Sequence, residues 1–116
     1  MNTTHQSFKY AISGIKDAFK SEPNLSVHVL FASVALIFAY FLEFSNTEFM
    51  ILIITIFTVI ILELVNTIVE KLVDMHSLKI TEEARQIKDI SAAVVLLSAI
   101  SSIIIAGFLF LPKFIS

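Results

Sequence analysis

Several residue types on which enzymes commonly depend are missing or scarce in this sequence. There is no cysteine, which excludes disulfides, thiolate metal sites and thiol nucleophiles. The two glycines, Gly14 and Gly107, lie far apart, so a glycine-rich phosphate loop of the Walker or dinucleotide type cannot form. Charged residues make up only 16% of the chain and the net charge is −2. Because no basic stripe is present, the electrostatic footprint of a nucleic-acid binder is also absent.

Apolar residues fill the place of the missing charges. They make up 57% of the 116 residues, and the mean hydropathy is +0.90. A soluble domain of this size needs more polar surface than that, so the composition indicates a membrane protein. The length suits one domain, and we treat residues 1–116 as a single unit.

Three long apolar stretches predict three transmembrane helices, over residues 25–44, 49–70 and 90–111. A helix rises about 1.5 Å per residue, so each apolar run covers roughly 27–33 Å, the thickness of a bilayer core. Buried helices of a soluble protein are the alternative, but too little chain would remain to cover three of them. The second stretch is unusual because Glu63 and Asn66 interrupt it.

The first 22 residues differ from the rest and predict an amphipathic helix at the membrane surface. Apolar side chains recur there at spacings of three and four, with lysine, serine and aspartate between them. A helix that packs only on neighbouring protein would show the same pattern. Pro23 disfavours helical geometry at Glu22, so we expect the chain to bend there and to place Glu22 at headgroup level.

The basic residues predict the topology. Seven of the eight flank the first span on its N-terminal side or lie between the second and third spans. They are Lys9, Lys16, Lys20, Lys71, Lys79, Arg85 and Lys88. The positive-inside rule makes that side cytoplasmic, with the N-terminus inside and the C-terminus outside.

A row of polar residues marks the second predicted span. Glu63, Asn66, Glu70 and Asp74 follow one another at spacings of three and four, so all four project from one helix face. An acidic residue well inside a bilayer costs on the order of 2.5–3.5 kcal/mol. The row therefore indicates a functional site that enters the membrane from the cytoplasmic side. A structural contact between helices, with Asn66 as the partner of Glu63, is the alternative.

Neighbouring carboxylates in such a site favour a shared cation or proton. Mg²⁺ takes oxygen ligands and is commonly held by one or two carboxylates plus phosphate oxygens, which Glu70 and Glu22 could supply from headgroup level. The deeper Glu63 could then act as a general base. Asp74 alone is more typical of an interfacial or capping residue. For His28, one turn into the first span, a buried hydrogen bond is favoured over a substrate contact.

The start of the third span contains a second polar group. Lys88 could offset the charge of a phosphate, whereas Asp89 or Ser91 would serve as a helix N-cap in a purely structural interpretation. Three serines of this helix share one face, which is more typical of close helix packing than of chemistry. They are Ser91, Ser98 and Ser102.

These residues resemble a known family, the small prokaryotic integral-membrane lipid kinases that comprise diacylglycerol kinase and undecaprenol kinase. The family pattern E-x-x-N-[ST]-x-x-E-x-x-x-D reads here as Glu63, Asn66, Thr67, Glu70 and Asp74. A K-D pair followed by small residues matches KDISAA at residues 88–93. The N-terminal pattern of the family is matched by Phe8, Tyr10, Ala11, Gly14, Glu22, Asn24 and His28.

The resemblance implies a function and a set of roles. Family members transfer the γ-phosphate of ATP to a lipid hydroxyl in the bacterial cytoplasmic membrane, as homotrimers with active sites shared between subunits. By likeness, Glu63 would be the base that contacts the lipid hydroxyl, and Asn66 would help order the site. Glu22 and Glu70 would hold Mg²⁺ and contact ATP. Three further residues would also contact the nucleotide: Tyr10, Lys88 and Asp89.

Details of the resemblance favour undecaprenol as the lipid, with diacylglycerol as the second choice. Asn24, His28 and the absence of an N-terminal arginine are similar to undecaprenol kinases of Gram-positive bacteria. Two positions depart from the family pattern, because Ile68 and Ile87 replace small residues. A proton-coupled transporter that uses Glu63 is the alternative function, although the acids lie toward one rim and no internal repeat is present.

Overall fold

The computed structural model describes residues 3–76 and 81–115, and these residues form four α-helices joined by short connections. The helices are α1 (Thr4–Ser21), α2 (Pro23–Phe41), α3 (Asn46–His76) and α4 (Glu82–Ile115). The last three are each long and apolar enough to cross a membrane. The predicted all-α membrane architecture, with an N-terminal helix followed by three spans, is therefore confirmed.

Helix α1 is amphipathic and sharply delimited. Thr3 caps its start, because the Thr3 hydroxyl accepts from the Gln6 backbone N–H while the Gln6 side chain accepts from the Thr3 N–H. Of its side chains only Ala18 is buried. The helix ends at Ser21, its C-cap Glu22 is extended (φ −129°, ψ 94°), and Pro23 occupies the first turn of α2. The predicted bend lies at Glu22.

Helices α3 and α4 both extend beyond the apolar runs of the sequence. Helix α3 continues to His76 and α4 begins at Glu82, so both have polar turns outside the bilayer core. Thr81 caps α4, since its hydroxyl accepts from the Ala84 N–H at 3.0 Å. Neither Asp89 nor Ser91, the two caps considered from the sequence, stands at the helix start. Lys79, which contributed to the predicted topology, lies outside the described residues.

Charge pairs along the first turns of α4 explain why this polar segment is helical. Arg85 bonds Glu82 three residues earlier, and its other guanidinium nitrogen donates to Asp89 at 2.6 Å, four residues later. Glu82 and Glu83 also place negative charge in the first turn, where it interacts favourably with the helix dipole and stabilises the helix. These contacts are local to α4.

The turn between α2 and α3 closes the opposite end of the molecule. Glu43 takes a left-handed conformation there (φ 59°), which lets Phe44 fold back into a small core cluster with Ala39, Leu52 and Leu109. That cluster joins α2, α3 and α4.

The Lys113 side chain strengthens the packing at the same end of the molecule. Lys113 near the end of α4 lies 3.0 Å from a carboxylate oxygen of Glu48 in the first turn of α3. Its ammonium group also lies 5.6 Å from the centre of the Phe44 ring, within the range of a cation–π contact. Glu48 in turn caps α3 together with Ser45. These contacts tie the start of α3 to the end of α4.

Most of the apolar surface of the three long helices is exposed. Phe31, Ile103 and Phe108 are 69%, 71% and 79% exposed, respectively. Helix α3 packs mainly against α4 and less extensively against α2. The exposed side chains are suited to hydrocarbon or to the helices of a neighbouring subunit.

Candidate active site

The polar row of α3 faces the other helices rather than the apolar surroundings. Glu63 is only 4% exposed, and Asn66 and Thr67 are also buried. Glu70 is half-buried and Asp74 is exposed, so the row runs from the interior toward the end of α3. Buried polar groups need partners, and each of the buried three has one on another helix or on α3 itself.

Glu63 meets a histidine from α2. Its carboxylate oxygen Oε2 lies 3.6 Å from His28 Nε2, and the His28 side chain is 28% exposed. A deep carboxylate with an imidazole beside it can accept a proton from a bound hydroxyl. His28 was predicted to be buried and hydrogen-bonded; it is instead half-buried, and its 3.6 Å separation from Glu63 is longer than a hydrogen bond. It is nevertheless a neighbour of the predicted base.

Thr67 connects α3 to the corner between α1 and α2. The Thr67 hydroxyl lies within donating distance of two acceptors, the Glu22 carboxylate at 3.4 Å and the Glu63 main-chain carbonyl at 3.2 Å. Pro23 forces the extended geometry of Glu22, and this geometry brings the Glu22 side chain to α3. The structure therefore places Glu22 beside Thr67 in the polar face of α3.

A three-residue hydrogen-bond chain joins α4 to the row. The Ser91 hydroxyl donates to Asn66 Oδ1 at 2.7 Å, and both residues are buried. The Asn66 amide nitrogen donates to Glu70 Oε2 at 3.5 Å. From the sequence Ser91 was assigned to packing or capping, because nothing in a single helix shows which helix will pack against it.

The predicted nucleotide residues are only partly brought together. Lys88 Nζ lies 2.7 Å from Asp74 Oδ1, so this pair joins α4 to the end of α3, one helical turn beyond Glu70. Asp89 instead pairs with Arg85 on its own helix. Tyr10 is 63% exposed on α1, and no hydrogen bond among the described residues joins it to the carboxylates.

An apolar groove adjoins the row. It has a volume of about 440 Å³ and lies between α2, α3 and α4, with His28 among its lining residues. The remaining lining is almost entirely hydrocarbon, including Phe31, Ala32, Val59 and Ile103. Because His28 also contacts Glu63, the groove joins an apolar space to the deepest carboxylate of the site. A molecule with a hydroxyl and a long apolar tail matches this combination.

The donor set near Glu22 fits a hard cation. Within residues 3–76 and 81–115, no group of three or more histidine and acidic side chains is close enough to hold a metal ion alone. The Glu22 and Glu70 carboxylates nevertheless accept hydrogen bonds from adjacent residues of α3, Thr67 and Asn66. Two carboxylates suit Mg²⁺ when phosphate oxygens complete its coordination.

The three long apolar helices are those of a multi-pass membrane protein, and a row of acidic and amide side chains is packed between them. A sequence profile described as prokaryotic diacylglycerol kinase matches residues 9–110, nearly the whole chain. The chain belongs to this family. The match includes Glu22, all four members of the polar row, and the Lys88–Asp89 pair.

Curated relatives carry two names. The chain is 35% identical to the undecaprenol kinase of Bacillus subtilis, over 97% of this chain and 92% of that protein. It is also 35% identical to a diacylglycerol kinase of Synechocystis, over 95% of this chain but only 63% of that protein. A diacylglycerol kinase of Haemophilus influenzae is 32% identical, over 90% of this chain and 89% of that protein.

Proposed function

We propose that this protein is an ATP-dependent lipid kinase that phosphorylates undecaprenol, with diacylglycerol as the second candidate. The lipid kinase class follows from the family. The observation that carries the proposal is the junction between the apolar groove and Glu63 at His28. This arrangement suits a long-tailed alcohol whose hydroxyl must reach a buried base. The near full-length similarity to an undecaprenol kinase supports the choice of lipid.

Glu63 acts as the general base in this proposal. Its carboxylate takes the proton from the lipid hydroxyl as the lipid oxygen attacks the γ-phosphorus of ATP, and ADP leaves with the electrons of the broken P–O bond. Burial at 4% exposure keeps water away from this carboxylate. His28, whose Nε2 lies 3.6 Å from Glu63 Oε2, orients the Glu63 carboxylate toward the lipid hydroxyl. General-base catalysis of this kind contributes about 10²–10⁴-fold in rate.

Glu22 and Glu70 hold the Mg²⁺ of Mg–ATP. When bound, the ion supplies positive charge that offsets the negative charge of the phosphates. The Thr67 hydroxyl orients Glu22 from α3, and the Asn66 amide orients Glu70. Both carboxylates are half-buried, so they remain accessible to a nucleotide that arrives from water.

Lys88, Asp89 and Tyr10 bind the nucleotide. Lys88 pairs with Asp74, which lies one helical turn beyond Glu70 and is 66% exposed, so phosphate oxygens can compete for the ammonium group. Exposed ion pairs are weak, which makes this exchange easy. Tyr10 is exposed, and Asp89 is exposed although it pairs with Arg85, so both side chains can be reached by a bound nucleoside. A bound nucleotide would therefore lie over the C-terminal end of α3 and the N-terminal turns of α4.

We also propose the setting of the enzyme. The membrane is the bacterial inner membrane, and the positive-inside rule supports a cytoplasmic N-terminus, a cytoplasmic end of α3 and start of α4, and a C-terminus on the outer side. The large exposed apolar surface leaves room for two further copies in a homotrimer with shared active sites. The transporter alternative gains no support, because the family to which the chain belongs consists of kinases.

One assay tests the proposal. Purified protein in mixed micelles is given ATP labelled at the γ-phosphate, with undecaprenol or diacylglycerol in parallel, and with Mg²⁺ or a chelator. We expect Mg²⁺-dependent label in undecaprenyl phosphate, at a higher kcat/KM than for diacylglycerol. A higher kcat/KM for diacylglycerol would show that diacylglycerol, not undecaprenol, is the preferred substrate. No label in either lipid would contradict the kinase assignment.

A further inference from the structure

The Ser91 hydroxyl behaves differently from the other buried serine on the same face of α4. Ser98 donates to the Val95 carbonyl of its own helix at 2.8 Å, which is a common arrangement for a helical serine. Ser91 instead donates across to Asn66 Oδ1 on α3 at 2.7 Å. The two serines are equally buried, at 8% and 9% exposure. Burial alone therefore does not explain the bond that Ser91 makes.

This bond gives the Asn66 amide a fixed orientation. With its oxygen toward Ser91, the amide presents its nitrogen to Glu70 Oε2 at 3.5 Å. A flipped amide would place its oxygen against the Glu70 carboxylate, and two acceptors would then face each other. The hydroxyl proton of Ser91 satisfies the amide oxygen only in the observed orientation. The chain of donors thus runs in one direction, from Ser91 through Asn66 to Glu70.

We propose that Ser91 is a positioning residue that acts through Asn66 to orient the Glu70 carboxylate for Mg–ATP. This inference rests on the proposed function, because Glu70 is a cation ligand only in a kinase site. Hydrogen bonds that orient ligating carboxylates commonly change metal affinity or activity by about 10–100-fold. Ser91 acts on Glu70 only through Asn66, so we expect the change in Mg²⁺ affinity to lie near tenfold, the lower limit of this range.

Three variants test the proposal in the kinase assay. Ser91→Ala removes the donor, Ser91→Thr keeps a hydroxyl, and Ser98→Ala is the matched control on the same helix face. We expect the Mg²⁺ concentration for half-maximal activity to rise about tenfold in Ser91→Ala, with a smaller change in kcat. Ser91→Thr and Ser98→Ala should stay close to the unaltered protein. Equal Mg²⁺ requirements in Ser91→Ala and Ser98→Ala would overturn the proposal.

A second measurement needs no activity. The side-chain amide resonances of Asn66, identified in ¹⁵N-labelled protein by their loss in Asn66→Asp, should shift in Ser91→Ala without Mg²⁺ or nucleotide. They should not shift in Ser98→Ala. If Ser91→Ala does not fold, Ser91→Cys supplies a weaker donor and should produce the same shift. Unchanged resonances would overturn the proposal, whereas a shift in protein that transfers no phosphate would contradict only the kinase assignment.

Discussion

The contact between Thr67 and Glu22 leads to a quantitative prediction about how α1 and α2 are coupled to α3. Among the described residues, the Thr67 hydroxyl is the only side chain of α3 that hydrogen-bonds Glu22. Thr67→Val keeps the shape of the side chain and removes the donor. A hydrogen bond to a charged acceptor contributes about 1.5–3 kcal/mol when well formed. At 3.4 Å the bond is long, so we expect a loss of about 1 kcal/mol in the free energy of unfolding.

The same substitution should affect the site more than the fold. Without Thr67, Glu22 loses the group that holds it beside α3, and the Mg²⁺ requirement should rise about tenfold. Thr58→Val is a matched control, since the Thr58 hydroxyl donates only to the Ile54 carbonyl of its own helix at 2.7 Å. Denaturant unfolding in micelles and a Mg²⁺ titration of the kinase assay measure the two effects. Identical values for the Thr67 and Thr58 variants would refute this coupling.

Three other substitutions test separate parts of the molecule. Lys113→Met removes the ion pair with Glu48 and should lower thermal stability with little change in kcat. The loss of thermal stability should be smaller at high salt, because salt already screens this ion pair in the unaltered protein, and an equal loss at both salt concentrations would show that the charge pair is not its cause. Lys88→Met should raise KM for ATP at least tenfold while KM for the lipid stays constant, since a charge-assisted contact to phosphate is lost; an unchanged KM would remove Lys88 from the nucleotide site. Ala32→Phe fills the apolar groove and should raise KM for undecaprenol but not for ATP, and the reverse pattern would show that the groove does not hold the lipid tail.

The architecture could be predicted from hydropathy because an apolar run of bilayer length has few alternatives to a membrane-spanning helix. The bend at Glu22 was equally predictable, since Pro23 restricts its neighbour whatever the surroundings. The helix ends were not. The third span was predicted to begin at residue 90, whereas α4 is continuous from Glu82, because the ion pairs of Arg85 with Glu82 and Asp89 extend the helix through this charged segment.

In the site, too, the features set within one helix could be predicted from the sequence, whereas the contacts between helices could not. Helical spacing alone placed Glu63, Asn66 and Glu70 on one face, because that geometry is internal to α3. The partners of that face depend on packing between helices. Ser91 and His28 could be assigned to the row only after α4 and α2 were placed against α3. For the same reason the pairing of Lys88 with Asp74 had no signal in the sequence.

Glu63 is proposed as the base for phosphoryl transfer to a lipid, and Glu63→Gln tests this role most directly. Glutamine preserves the size of the side chain but cannot accept the hydroxyl proton. Glu83→Gln, an exposed change in the first turn of α4, controls for the loss of one negative charge. Single-turnover transfer of labelled phosphate to undecaprenol should fall about 10²–10⁴-fold in Glu63→Gln and remain normal in Glu83→Gln. Equal rates in the two variants would contradict the assignment of Glu63.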